Sequence, residues 1–291
     1  MYCQLVEICG CIPARIRHVL ADLPETLDET YERTLREINK ANREFAHRLF
    51  QLVAVAVRPL RVEELAELIA FDFDAGQIPK FHEGWRLEDP MHAVLSMCPS
   101  FLSIVDDNIH YSGHKVVQFS HFSVKEFLTS TRLAEANDII LRRYHISEIP
   151  AHTLATQACL GYLLPLDMDV TSDSLRNLPF IEYSAEYWVD HARPEDVSRV
   201  VKDGLEELFD PSKPHLAVYI WIGDSTFLHG HDGPNLIHST SLQLLGKCGL
   251  DKNHSGGRCQ PCKCITLRSS SSSTQGRPRT RRTRGRCFRF L

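Results

Sequence analysis

The sequence predicts a mainly α-helical protein with one small α+β module in its middle. Three observations lead there. Helical spacing of apolar residues runs through 14–57 and resumes from 134 to 222; two β-rich runs separated by a turn lie between; and past 223 the chain becomes a mixture of Gly, His, Ser and Arg without apolar periodicity. With 291 residues and 43% hydrophobic content, there is enough apolar material for a sizeable core.

The first helical region is expected to break into two. In "LPETLDETYERTLREI", Leu27, Tyr31, Leu35 and Ile38 share one face. Pro24 suits a first helical turn, and Glu25, Asp28 and Glu29 sit near the positive end of the macrodipole. Glu29–Arg33 and Glu32–Arg36 are i,i+4 pairs, each contributing roughly 0.2–0.5 kcal/mol. A second helix over about 42–57 ends at "RPL", where Pro59 interrupts it.

The middle reads as helix, helix, hairpin, helix. "VEELAELIA" (Val62 to Ala70) is a short amphipathic helix with Val62, Leu65, Leu68 and Ile69 inward. "FDFDAGQIPKFHEGWRLEDP" holds Gly76, Pro79, Gly84 and Pro90 and reads as a loop or insertion, with "FDFD" (Asp72, Asp74) at its edge. "MHAVLSMC" is a short helix, and "FLSIVDD" and "KVVQFSH" form a hairpin around "DNIHYSG". That outline is a winged-helix domain, expected over 58–133 behind a helical segment at 1–57.

From 134 to 222 five helices are expected, over 134–145, 150–164, 179–192, 194–209 and 214–222, paired as in a helical bundle or the start of a solenoid. Tyr187 and Trp188 in "EYWVDHA" read as packing residues between them. Residues 223–291 are expected to be a poorly ordered basic tail.

Charge divides along the same line. The net charge of −4 conceals a tail, 247–291, with 12 Lys and Arg against one acidic residue; the other 21 basic and 36 acidic residues precede it, so the body is −15 and the tail +11. The longest uncharged apolar run, "LFQLVAVAV" (Leu49 to Val57), is about half of what a membrane span needs, and the N-terminus lacks a basic n-region. A cytoplasmic location and reduced cysteines are therefore expected, and Cys9 and Cys11 predict no site.

The stretch "VVQFSHFSVKEFLTS" carries the one candidate site. Val117 and Phe119 share one strand face, Gln118 and Ser120 the other. Ser123 with Glu126 satisfies a capping box, Phe122 and Phe127 can form its hydrophobic staple, and Val124, Phe127 and Leu128 point at the core. Ser123 is thus explained by helix geometry, and no G-x-S-x-G elbow supports a hydrolase. On residues alone His121 is a hydrogen-bonded group at a strand–helix joint.

The ordered set "LPETLDETYERTLREI", "RPLRVEELAELIAFD" and "VVQFSHFSVKEFLTS" resembles the region after the nucleotide-binding domain of NACHT-type signal-transduction ATPases. The resemblance covers about 14–222 and is closest to the fungal, NOD-like-receptor type that often ends in ankyrin repeats. It implies that the winged helix packs on a nucleotide-binding module. In the F-x-H-x-S-x-x-E-F pattern of Phe119, His121, Ser123, Glu126 and Phe127, it implies that His121 faces the phosphates of ADP. An imidazole N–H can donate to a phosphate oxygen. No G-x-x-x-x-G-K-[ST] loop and no credible Walker B run occur, so the chain is expected to be a non-catalytic fragment whose ADP or ATP is held by residues outside it.

Its expected partners are proteins, or the nucleotide-binding and repeat domains of the full-length architecture. "TSLQLLGKCG" keeps only Thr240, Leu242 and Gly249 of an ankyrin pattern. In the tail Cys259 and Cys262 have zinc-ligand spacing, with Cys248, His254 and Cys264 nearby, yet one C-x-x-C and scarce apolar residues do not make a structural zinc site. The competing function is nucleic-acid binding through the winged helix and the arginine run; the acidic "FDFD" and "RLEDP" loops speak against it.

Overall fold

The computed structural model describes residues 26–97, 100–107 and 114–223. The tail candidates Cys248, His254, Cys259, Cys262 and Cys264, the ankyrin trace at Thr240, and residues before Thr26, including Pro24, lie outside them.

Helix α1 (Leu27–Glu37) starts at Thr26, whose hydroxyl accepts the Glu29 N–H. Glu32 and Arg36 pair at 3.4 Å as their spacing predicts. A 3-10 turn, Lys40–Asn42, leads into α2 (Arg43–Val55), whose Ala46, Leu49, Phe50, Leu52 and Ala54 are buried.

Next come β1 (Leu60–Arg61), α3 (Val62–Ala66, tightening to a 3-10 turn at Glu67–Ala70), β2 (Phe71–Asp72), β3 (Lys80–Phe81), α4 (Pro90–Met97), β4 (Leu102–Asp106) and β5 (Lys115–Phe119). The three-stranded sheet has the order β1-β5-β4, wholly antiparallel: Leu60 opposes Val117, and Leu102 to Asp106 run opposite Phe119 to Lys115. Helix, strand, two helices and a hairpin closing on the first strand make a winged helix. The sequence reading missed β1 because two residues carry no alternation to detect.

Two details of that module differ from expectation. Residues 71–81 are more than a loop, because β2 and β3 pair with Phe71 opposite Phe81. Both rings lie against Tyr162 in the helical region, at 5.9 and 4.9 Å, a partner that local sequence does not reveal. Ile69 is only half-buried, while the face of α3 and its 3-10 extension buries Glu64 and Glu67 among Val62, Leu65 and Leu68.

The helical region follows: α5 (Phe122–Leu128), α6 (Thr131–Ala134), α7 (Ile139–Arg142), α8 (Glu148–Leu163), α9 (Ser172–Arg176), α10 (Ile181–Ala192), α11 (Glu195–Val200), α12 (Lys202–Leu208) and α13 (His215–Gly223). The helix expected at 134–145 is two short ones, each started by its own side-chain cap, Ser130 to the Leu133 N–H and Asp138 to the Ile140 N–H. That expected at 194–209 divides at Val201, which leaves helical dihedrals. Helix α9 was unforeseen; Thr171 and Ser174 cap it reciprocally.

Helix α8 is the pivot. From Ala151 to Leu163 it buries ten residues and packs on α2, α10 and α11, so it is apolar all round rather than on one stripe. Trp188 of α10 is buried against Phe209 and Tyr219, as a packing role requires. One hydrophobic cluster runs unbroken from Leu35 through Phe50, Phe101 and Leu160 to Trp221. Among the described residues, no helix is long and apolar enough to cross a membrane.

Candidate functional site

His121 stands where β5 gives way to α5. Before it, the Ser120 N–H donates to the Phe101 carbonyl and the Ser120 hydroxyl to the Ser100 carbonyl, both at 2.9 Å, which fixes the end of the strand. Behind it, the Lys125 ammonium reaches the Ala54 carbonyl at 2.7 Å, tying α5 to the C-terminal end of α2. The joint is held on both sides.

The cap of α5 is not the one its sequence suggests. His121, in extended backbone conformation, is the N-cap: its Nδ1 accepts the Ser123 N–H at 3.2 Å. Ser123 therefore does not cap Glu126, which is exposed. The staple fails too, since Phe122 is 69% exposed while Phe127 is buried. The physical reason is a tertiary competitor: the Ser123 hydroxyl is engaged by Tyr31 of α1, 2.8 Å away and 92 residues earlier.

Three side chains thus form a line. Tyr31 Oη lies 2.8 Å from Ser123 Oγ, and Ser123 Oγ lies 2.6 Å from His121 Nδ1. With Nδ1 accepting the Ser123 backbone N–H, its lone pair faces Ser123, and the serine hydroxyl 2.6 Å away shares it as a second donor. The serine oxygen then accepts from the Tyr31 hydroxyl. His121 is left with its proton on Nε2, which makes no hydrogen bond among the described residues. The exposed imidazole, 4.3 Å from the Phe122 ring, offers one outward N–H donor. Sequence reasoning found His121 and Ser123 but read Tyr31 only as a core-face residue; no local spacing connects it to them.

Two buried polar clusters surround the core without opening a reaction site. Glu64 accepts from Arg58 at 2.7 and 2.8 Å and from the Arg61 N–H and Nε, while Arg61 extends to Glu182 of α10 at 3.1 Å. Glu67 accepts from Nε and Nη2 of Arg86 and from the Tyr162 hydroxyl. The signal for the first was an Arg58, Arg61, Glu64 spacing that puts a carboxylate on an otherwise apolar face.

In the helical region the Val57 N–H donates to the Tyr183 hydroxyl at 3.2 Å, Tyr183 lies 2.8 Å from His191 Nε2, and His191 Nδ1 lies 3.0 Å from His152 Nδ1. Burial lowers His191 to about 4, helped by His152. Cys159 is buried and its thiol is pushed up to about 12 by desolvation, the opposite of what a nucleophile needs. Asp72 accepts the Asp74 N–H within its own turn, and no group of three or more metal-ligating side chains occurs among the described residues.

Comparison with known proteins matches the sequence to a winged-helix model and to longer relatives. Residues 31–139 match the model of the winged helix domain of GPI inositol-deacylase. The chain is 31% identical over 195 residues to the azaphilone pigments biosynthesis cluster protein L of Monascus ruber, a match covering 65% of this chain and 40% of that protein. It is 24% identical over 203 residues to the vegetative incompatibility protein HET-E-1 of Podospora anserina, covering 61% of this chain and 14% of that protein. The matched segment is therefore less than half of either relative's length. No solved structure matches the chain.

Proposed function

We propose that this chain is a regulatory, non-catalytic portion of a NACHT-type, NOD-like signalling ATPase, cytoplasmic in location. Its winged helix packs on a P-loop module outside the chain, and its helical bundle passes the state of that module to a downstream repeat sensor. The observation that carries the reading is the outward Nε2–H of His121, a single donor on a rigid joint and suited to an ADP phosphate oxygen. The chemical step belongs to the P-loop module, since the sequence carries no G-x-x-x-x-G-K-[ST] loop. Names drawn from incompatibility and from a pigment cluster suit a shared scaffold better than shared chemistry.

Helix α8 supports the relay. It packs at once on α2 of the winged helix and on α10 and α11 of the bundle, so a displacement at the joint is felt by both. The nucleic-acid reading has less behind it. Helix α4, in the position of a recognition helix, is "PMHAVLSM" and contains neither Lys nor Arg. The test is association of residues 26–223 with a purified NACHT-type P-loop module, beside titration with labelled duplex DNA at low and moderate salt. Complex formation that is tighter with ADP than with ATP, and no DNA binding, are expected. Salt-sensitive DNA binding by this segment without module binding overturns the reading.

A further inference from the structure

We infer that, given a phosphate-facing His121 as proposed above, Tyr31 and Ser123 are its positioning residues: they hold the ring in the Nε2–H tautomer and tie that choice to the docking of α1. Three protons bear on the assignment. The Ser123 N–H donates to His121 Nδ1 at 3.2 Å; with Nδ1 an acceptor, the Ser123 hydroxyl 2.6 Å away donates to it as well, and the Tyr31 hydroxyl, 2.8 Å from Ser123 Oγ, donates to the serine. The alternative Nδ1–H tautomer sets a donor against the Ser123 backbone N–H, the one donor of the three that cannot rotate away, and leaves Nε2 a bare acceptor facing outward, which cannot bond an anionic oxygen.

The Tyr31 ring is gripped by Phe101 at 5.6 Å and by Phe127 at 5.3 Å, so its hydroxyl is aimed by the core rather than by chance. Helix α1 is strapped alongside by Arg132 to Asp28 and Glu32 and by Arg36 to Asp138. Movement of α1 away from α5 withdraws the Tyr31 proton, frees the serine hydroxyl to rotate, and loosens the ring. The tautomer of His121 is thereby a readout of whether α1 is docked.

The experiment is tautomer-sensitive proton–nitrogen NMR on the full chain labelled with 15N-histidine, with the His121 signals assigned by their loss in His121→Gln. The wild type is expected to show the Nε2–H pattern. Ser123→Ala should lower the Nε2–H to Nδ1–H ratio by roughly fivefold, the population effect of one ordinary hydrogen bond. Tyr31→Phe, which keeps the ring packing, should act in the same direction by less, and Ser123→Thr, which keeps the hydroxyl, should retain the wild-type ratio. An unchanged ratio in both Ser123→Ala and Tyr31→Phe overturns the inference, as does an Nδ1–H pattern in the wild type. The same variants titrated with ADP beside a P-loop module separate the two readings. A shifted tautomer with unaltered ADP affinity upholds the positioning and removes the phosphate role. ADP binding that needs His121 while the tautomer ignores Tyr31 and Ser123 does the reverse.

Discussion

Glu64 is 0% exposed and bonded by the Arg58 and Arg61 guanidinium groups, which makes it the most consequential carboxylate in the winged helix. Removing it strands Arg58, itself buried, without its bidentate partner. Glu64→Ala is expected to cost about 3–5 kcal/mol in urea denaturation, as breaking one side of a buried pair does. Half-buried His47 and buried His191 add a pH dependence of known sign. Burial lowers His47 to about 4, and His191 likewise, whereas the unfolded chain protonates them near 6.5. Between those values the unfolded state binds more protons, so stability is full above about pH 6.5 and falls as pH drops toward 4. His47 bonds the His145 carbonyl through Nε2, a donation that glutamine can imitate. His47→Gln should therefore flatten the stability-versus-pH slope over this window while leaving stability at pH 7 nearly unchanged.

Among the elements, the β2–β3 hairpin shows what the sequence could and could not reveal. Its turn lies on α8 and α12 at two glycines. A Cβ on Gly161 would meet the Pro79 carbonyl oxygen at 2.5 Å, and one on Gly204 would meet the Ile78 Cδ1 at 2.5 Å. Gln157 also donates to the Gln77 carbonyl at 2.7 Å, and Gln77 to that of Val200. Backbone cannot yield as a side-chain end can, so Gly161→Ala should destabilise by about 1–3 kcal/mol and Gly204→Ala by less. Ile78→Ala, which removes both the Cδ1 and the Cγ1 that such a Cβ would meet, should relieve the second and leave the first, a contrast that thermal unfolding of the double variants can measure. Elements with an apolar stripe, such as the helices of Leu27 to Glu37 and Ile181 to Ala192, were legible from spacing. Those built by distant partners were not: β1 exists because β5 pairs with it, and β2–β3 because Tyr162 receives its phenylalanines. The site followed the same rule. His121 was visible as a residue at a joint, whereas its cap role and its tie to Tyr31 needed the fold.

At the scale of the whole molecule, one cluster of side chains spans the winged helix and the helical bundle, with α8 shared by both. Arg61, bonding Glu64 on one side and Glu182 and the Pro179 carbonyl on the other, stitches the same boundary in polar terms. A body connected this way transmits a shift at its joint instead of absorbing it. What it transmits depends on whether His121 meets a phosphate. Calorimetric titration with ADP, of the chain alone and then with a NACHT-type P-loop module present, asks that directly. No binding by the chain alone, and binding in the complex that weakens at least about tenfold in His121→Ala for the loss of a charged hydrogen bond, is the expected result. ATP turnover by the chain alone, or a complex whose ADP affinity ignores His121→Ala, contradicts it.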